Sequence, residues 1–485
     1  MIRFLLNDRP ITLEQIDPNT TVLNYLRKQE GLTGTKEGCA SGDCGACTVV
    51  LAEPSDHSEQ PLVYRSINSC MTFIGALHGK QLITVEHLKA NDQSLHKVQE
   101  AMVDHHGSQC GFCTPGIVMS LFAMDKSTAS PDVKTCLSGN LCRCTGYQPI
   151  LNAADSILAG KSVDRFEQQS AQTAEQLNAF TAQESPSLQH DQLRAFSPTS
   201  LDQLDELLTL YPDAALLAGG TDLALEVTQK HKTLATLIHL NQVDSLKGTH
   251  WHEDSLTIGS ATSLTDALTD LEQWDPEWES LLHRFASLQI RNQGTLGGNI
   301  ANASPIGDSP PALIAAKASI TLRSGKGERS LPLESFFIDY KQTELQCGEY
   351  IHSITLPKRD AHSHYRLYKV SKRLDDDISA VMGAFQVWVD DGVVQEAVLA
   401  FGGMAAIPKR AHLTEQALTG QPWSLESIEA AAKMIASDFT PMSDARASQA
   451  YRELIAQNLL VRFFMEVEAK HSYRIEHYLP EEVHS

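Results

Sequence analysis

Eight of the chain's ten cysteines fall in two quartets near the N-terminus, Cys39, Cys44, Cys47 and Cys70, then Cys110, Cys113, Cys142 and Cys144. The first reads C-x4-C-x2-C with a fourth cysteine further on, the plant-type spacing for a [2Fe-2S] cluster. The second reads C-x2-C followed by C-x-C. An iron-sulfur core on four thiolates stays negatively charged and needs donors aimed at its sulfurs. The glycines Gly38, Gly42 and Gly45 around the first set let backbone amides fold closely enough to supply them. Both halves of the second set precede an expected helix, whose N-terminus favours negative charge. Zinc on four cysteines is the competing reading. The one-residue gap between Cys142 and Cys144 is unusual for a zinc knuckle, and a disulfide framework is less favoured still in a reducing compartment. Cys136 and Cys347 are left over; Cys136 reads as a packed free thiol, and Cys347, alone in a polar stretch, carries no assigned chemistry.

A second kind of chemistry lies downstream. The apolar run 214–218 leads into Gly219-Gly220-Thr221-Asp222-Leu223, and Gly294-Thr295-Leu296-Gly297-Gly298-Asn299 leads into a stretch carrying Ser304 and Asp308. Paired glycines after a strand let amides approach a pyrophosphate, although the same pattern also makes an ordinary tight turn. Two such loops strengthen the case for a dinucleotide. Neither a G-x-G-x-x-G after a strand nor a G-x-x-x-x-G-K-[ST] is present, so an ordinary NAD fold and a P-loop are not indicated.

These groups need elements to hold them. Residues 2–14 alternate apolar and polar as in a hairpin, 22–29 read as a helix, and 48–51 and 82–85 as strands, which predicts a small β-grasp, ferredoxin-like sheet over residues 1–88. Residues 89–160 read as an all-α bundle with helices at 94–107, 116–124 and 147–158 and prolines 115, 131 and 149 at their starts. Residues 161–192, rich in Gln, Ala, Ser and Glu without a steady apolar period, read as a linker. An α+β domain follows over 193–358, with a strand and helix at 195–210 and a buried strand at 214–218. A C-terminal α+β domain spans 362–472, with strands at 380–389 and 393–400 and helices at 425–437 and 448–470. The fold class is thus multidomain α+β.

Composition narrows the function classes. The formal charge of -21 argues against nucleic acid. No apolar run approaches the roughly 18 residues of a membrane helix. The first ten residues resemble neither a secretory nor a twin-arginine leader, so a cytoplasmic location is expected.

Together, the order of the quartets, the Gly-Asn-Leu-Cys-Arg-Cys-Thr-Gly-Tyr string at 139–147, the Ala-Gly-Gly-Thr-Asp-Leu string at 218–223 and Leu-Gly-Gly-Asn-Ile at 296–300 resemble the iron-sulfur and FAD portion of the xanthine dehydrogenase family, over about residues 1–470. That resemblance implies two [2Fe-2S] clusters, with the cluster on Cys110, Cys113, Cys142 and Cys144 nearest a molybdenum centre and the plant-type cluster toward the flavin. It implies FAD on Leu216, Leu217, Ala218, Gly219, Gly220, Thr221, Asp222 and Leu223, with further contacts from Phe285, Thr295, Asp308, Ile351 and Lys369; Asn299 and Ser304 join from the loop chemistry. Thr295 stands where serine is common and Asp222 where glutamate occurs, each keeping its functional group. Arg373 and the run Asp375-Asp376-Asp377 are expected in a loop near the flavin. NAD+ is the expected acceptor, with oxygen the alternative. No length is expected after the C-terminal domain for a molybdopterin domain, so a larger molybdopterin-binding subunit, the expected partner in an α2β2 heterotetramer, would hydroxylate the purine. The rivals are the same role in a molybdenum hydroxylase for an aldehyde, carbon monoxide or an N-heterocycle, and a stand-alone NADH:acceptor reductase.

Overall fold

The computed structural model describes residues 1–55, 60–90, 92, 94–127, 132–160, 163–181 and 185–472. At the N-terminus the hairpin Ile2–Leu6 and Arg9–Leu13 turns through Asn7 at positive φ. A five-stranded sheet grows from it in the order Arg9–Leu13, Ile2–Leu6, Gln81–Ile83, Thr48–Pro54, Leu62–Asn68, with only the Ile2–Leu6/Gln81–Ile83 pair parallel. Helix Val22–Lys28 is N-capped by Thr21, whose hydroxyl accepts from the Asn24 amide at 3.2 Å. Strand Leu62–Asn68 was not expected: its burial does not alternate, so the two-residue period that marks a strand is missing.

The next unit is helical, as expected, with helices Lys97–Asp104, Thr114–Asp125, Val133–Leu137 and Gln148–Ala159. Pro115 and Pro149 sit in first turns, where a missing N–H costs nothing; Pro131 lies outside the described residues. Helix Thr114–Asp125 is buried along most of its length because it lies between the other helices and the first sheet, so Val50, Ala52 and Ile83 share one core with Phe122, Ile150 and Ala154.

Most of the stretch expected as a linker, among its described residues, is in regular elements. Helix Arg165–Thr181 packs on the first sheet, and Ser187–His190 pairs antiparallel with Leu193–Phe196. The helix buries only Phe166, Ala174 and Leu177, too few to make a visible period, while its Gln, Glu and Ala residues favour a helix intrinsically. Its start is pinned by Asp164, which accepts from the Phe166 amide at 2.9 Å and pairs with His96 at 2.7 Å and Lys126 at 2.5 Å.

Strands Ser187–His190, Leu193–Phe196, Thr236–His239 and Ala215–Leu217 make a four-stranded sheet in that order, its last three strands parallel. An antiparallel five-stranded sheet follows in the order Thr249–Trp251, Ser255–Gly259, Tyr350–Pro357, Ser319–Ser324, Gly327–Pro332. Strand Ala215–Leu217 is less buried than its apolar run suggests: Ala215 and Leu216 are half-exposed, and Leu216 and Leu217 line a cavity. The C-terminal unit lays a four-stranded antiparallel sheet, spanning Ser363–Val370 to Lys409–Arg410, against four helices, with Phe385, Phe401 and Phe463 at its centre. The single helix expected over 425–437 is two, Leu425–Ala432 and Ile435–Asp438, and the turn between them sends Ile435 and Phe439 into the core. Among the described residues no helix is long and apolar enough to cross a membrane.

Candidate functional site

In the first quartet Cys47 and Cys70 are buried, Cys39 and Cys44 half-buried. The thiols meet in pairs. Cys47 Sγ lies 3.3 Å from Cys70 Sγ, and Cys39 faces Cys44. Backbone amides point at them as the glycine content requires: Ser41 N lies 3.4 Å from Cys39 Sγ, and the amides of Ala46 and Gly42 are directed at Cys44 and Cys70. Gly45 has φ +67, and a Cβ there would fall 2.2 Å from the Gly139 carbonyl oxygen, so only glycine lets the two cysteine loops touch.

The second quartet repeats the pairing, Cys110 with Cys144 and Cys113 with Cys142. Cys142 is buried, with its amide donating to the Tyr147 hydroxyl at 2.8 Å and its sulfur 3.1 Å from Thr145 Oγ1. Cys110 and Cys144 are exposed, flanked by exposed Phe112, Leu141 and Tyr147. The loops join directly: the Leu141 amide donates to the Cys44 carbonyl at 3.0 Å.

Among the described residues the one group of three His, Cys, Asp or Glu ligand atoms mutually within 4.8 Å is His96, Asp125 and Asp164. Neither quartet therefore converges on one point, as tetrahedral zinc with Zn–S near ~2.3 Å would require. Two pairs of thiols suit two irons. The His96 group is an ion-pair cluster, since Lys126 Nζ lies 3.1 Å from Asp125 and 2.5 Å from Asp164. Cys136 is buried as expected, and burial pushes its thiol up to about 12; Cys347 is exposed.

The glycine loops converge on a cavity of about 690 Å³. Its lining includes every residue from Leu216 to Leu223, together with Phe285, Thr295, Asn299 and Ile351. Strand Ala215–Leu217 runs into Gly219, where a Cβ would fall 1.9 Å from the Gln293 carbonyl oxygen, and Gly220 at φ +75. Opposite, Thr295 caps the short helix Leu296–Ala301 by accepting from the Gly298 amide at 3.0 Å. A Cβ on Gly297 would meet Ser260 at 2.5 Å. Ser260, on the lining, has a buried hydroxyl with no hydrogen-bond partner among the described residues, as a site shaped for a polar ligand would leave it. These residues fit FAD.

Three expected contacts stand outside that lining. Ser304 instead accepts from the Ile306 amide at 3.4 Å. Lys369 Nζ lies 2.6 Å from Asp308 Oδ2 and donates to Ser379 Oγ at 3.0 Å, while Ser379 donates to Asp308 Oδ1 at 2.5 Å. Both charges are buried, so they satisfy each other and tie the C-terminal sheet to helix Ser309–Ala315. Removing one partner of such a pair strands the other charge. Lys369→Met is expected to cost about 3–5 kcal/mol in chemical denaturation; a variant as stable as the parent contradicts this role.

Sequence reasoning missed the other walls. Ser41, Gly42 and Asp43, inside the first cysteine loop, line the cavity, as does Ile378, beside Asp376 of the run expected near the flavin. Glycine in the cysteine loop was a legible signal for sulfur, with nothing to mark it for a flavin. The loop after Lys369 is near the cavity as expected, although Arg373 is exposed and pairs with Asp377 at 3.2 Å. Arg284 holds that loop, donating to the carbonyls of Leu374 and Lys369 at 3.1 and 3.0 Å.

Residues 4–75 match the family described as 2Fe-2S iron-sulfur cluster binding domain, 84–155 the [2Fe-2S] binding domain, 191–359 the FAD binding domain in molybdopterin dehydrogenase, and 366–467 the CO dehydrogenase flavoprotein C-terminal domain. The chain belongs to the iron-sulfur/FAD portion of the molybdenum hydroxylases. Among relatives of this molybdenum hydroxylase chain, xanthine dehydrogenase of Emericella nidulans is 34% identical over 96% of the chain and 38% of its own length, and xanthine dehydrogenase/oxidase of Gallus gallus 30% identical over 96% and 40%. The chain thus spans about two fifths of the curated relatives it matches. Carbon monoxide dehydrogenase from Hydrogenophaga pseudoflava is similar in structure, with TM-score 0.54 and 27% identity over 57% of this chain and 98% of its own. Quinoline 2-oxidoreductase from Pseudomonas putida 86 gives TM-score 0.52 and 25% identity over 57% and 97%.

One lining residue of this molybdenum hydroxylase chain carries a pH signature. The Asp376 carboxyl is pushed up to about 6, first by burial and then by the Asp43 carboxylate, against the Arg373 and Arg291 guanidiniums. Between its ordinary value of 3.8 and about 6 the folded state holds a proton that the unfolded chain has released, so stability falls as pH rises through that window. The stability of Asp376→Asn relative to the parent should therefore grow across it, and thermal melts giving a constant difference would contradict the shift.

Proposed function

We propose that this chain is the iron-sulfur/FAD small subunit of an NAD-dependent xanthine dehydrogenase, taking electrons from a molybdopterin-bearing partner and delivering them to NAD+. The observation that carries the direction of flow is the contrast between the two quartets. Ser41, Gly42 and Asp43 of the first form a wall of the flavin cavity, whereas Cys110 and Cys144 of the second are exposed and do not line it. In this reading Cys39, Cys44, Cys47 and Cys70 hold the cluster beside the flavin, and Cys110, Cys113, Cys142 and Cys144 hold the one that meets the partner. The groups bound here supply one-electron carriage at the clusters and, at FAD, the collection of two electrons for transfer as hydride.

The chain's own residues insulate, aim and space these groups. Amides of Ser41, Gly42 and Ala46 stabilise negative charge at the first thiolates, and the Leu141 amide on the Cys44 carbonyl joins the loops. Gly219, Gly220, Gly297 and Gly298 would bring amides to the pyrophosphate, with Phe285 and Ile351 as apolar walls. Similarity over 96% of the chain to xanthine dehydrogenases supports the purine assignment.

Hydroxylation of hypoxanthine and xanthine to urate would belong to the larger subunit, in a cytoplasmic α2β2 assembly. The test is co-purification with iron and molybdenum analysis and a turnover assay on xanthine with NAD+. About four irons per chain are expected, with activity only in the complex. Purified chain that converts xanthine by itself would sink this division of labour.

A further inference from the structure

Where the two cysteine loops meet, one fully buried side chain from the flavin-binding unit enters between them. Gln289, in the short helix Leu288–Arg291, donates through Nε2 to Asn140 Oδ1 at 3.0 Å and Ser120 Oγ at 3.2 Å, and approaches Thr48 Oγ1 at 3.5 Å. Each partner belongs to a cluster-bearing segment: Thr48 follows Cys47, Asn140 stands two residues before Cys142, and Ser120 lies in helix Thr114–Asp125, which follows Cys113. Asn140 closes the knot, donating to the Gly45 carbonyl at 3.2 Å and accepting from Ser120 Oγ at 2.6 Å. Gln289, Asn140, Ser120 and Thr48 are all buried.

The surrounding glycines are cut to this knot. A Cβ on Gly139 would fall 2.3 Å from Gln289 Oε1, and one on Gly116 would fall 2.1 Å from the Gly45 carbonyl oxygen. An amide so enclosed is costly to desolvate, the more so because Oε1 is buried without a hydrogen-bond partner among the described residues, and the bonds at Nε2 offset part of that cost. Apolar packing could hold these surfaces together, but it would not fix the register of one loop on the other as directed bonds do. From Gln289 the chain runs on to Gln293, whose side chain bonds Thr72 at 3.1 Å, and to Gly294 and Thr295 on the flavin cavity.

We infer that Gln289 is a positioning residue for electron transfer, its amide clamping the second-cluster loop onto the first-cluster loop and setting the distance between the clusters and their register with the flavin unit. This rests on the two-cluster reading above. Transfer between centres falls steeply with separation, so a clamp at this junction governs the step between the two clusters without touching either.

The test replaces Gln289 by methionine, which keeps the length and removes the hydrogen bonds. In protein reduced at both clusters, two neighbouring paramagnets split each other's resonances in a manner set by their distance. Gln289→Met is expected to keep about four irons per chain and both cluster signals while losing the intercluster splitting. Gly139→Ala, which crowds the same amide out of its slot from the other unit, should reproduce that loss and serves where the methionine variant does not accumulate. Unchanged splitting with both clusters present overturns the proposal, as does loss of half the iron, which would make Gln289 a support for cluster retention. A parent protein without iron would instead overturn the two-cluster reading itself.

Discussion

Replacing Cys142 by serine should remove one of two [2Fe-2S] signals and lower iron from about four to about two per chain, leaving flavin content unchanged. Cys142 is the buried member of its quartet, its amide held by the Tyr147 hydroxyl at 2.8 Å and its sulfur beside Thr145 at 3.1 Å. A serine would keep those backbone contacts, so the loop should stay in place and the effect should be confined to metal binding. Serine offers a hard hydroxyl where the iron site takes a thiolate. The first quartet has bonds of its own around Cys47, from Thr48 Oγ1 to the Gly45 carbonyl and from Ser69 Oγ to the Cys47 carbonyl, which the substitution does not touch. Under the proposed function, electrons from a molybdenum partner would lose their entry point while NADH would still reduce an artificial acceptor through FAD. Variant protein with both signals and full xanthine turnover would reject Cys142 as a ligand.

The parts of the site that were readable in the sequence are those whose ligands cluster locally. Cys39, Cys44 and Cys47 lie within nine residues, and the Gly219-Gly220 and Gly297-Gly298 pairs each sit at the end or start of one element. Their spacing carries the chemistry before any tertiary contact is known. Pairing within the quartets was not readable, because Cys110 meets Cys144 and Cys113 meets Cys142 across a loop and a helix. Nor was the cavity wall made by Ser41, Gly42 and Asp43, since those residues already had an explanation as sulfur neighbours.

Lys369 and Asp308 show the opposite case. The resemblance marked both as flavin contacts, and the structure joins them to each other at 2.6 Å, outside the cavity lining. Two residues 61 positions apart have no local signal that they form a pair. Residues 161–192 were misread for a related reason. Helix Arg165–Thr181 buries three side chains against a sheet formed much earlier in the chain, so its apolar period is too sparse to see.

The cavity makes its sharpest demand at Gly219. An alanine Cβ there would lie 1.9 Å from the Gln293 carbonyl oxygen, 2.5 Å from its carbon and 2.9 Å from Gly294 Cα. All three are backbone atoms, so no side chain can rotate away. Nor can the opposing segment retreat freely, because the Gln293 side chain is bonded to Thr72, two residues after Cys70, and the Gly294 amide to Ile290 at 2.7 Å. Overpacking by one methyl group usually costs about 1–3 kcal/mol when neighbours can shift; here the two loops must part, and they are the cradle. Gly219→Ala is therefore expected to purify with its irons and without FAD, and added FAD should not restore the flavin absorbance. Gly325→Ala is the matched control, since the nearest atom to its new Cβ is Asp205 Cβ at 3.6 Å, and it should hold flavin as the parent does. The pair separates a specific closure of the cradle from a general intolerance of the domain to an added methyl group. A Gly219→Ala protein carrying the parent's flavin content would show that the loops open further than their bonding permits, and would remove Gly219 from the FAD-binding set.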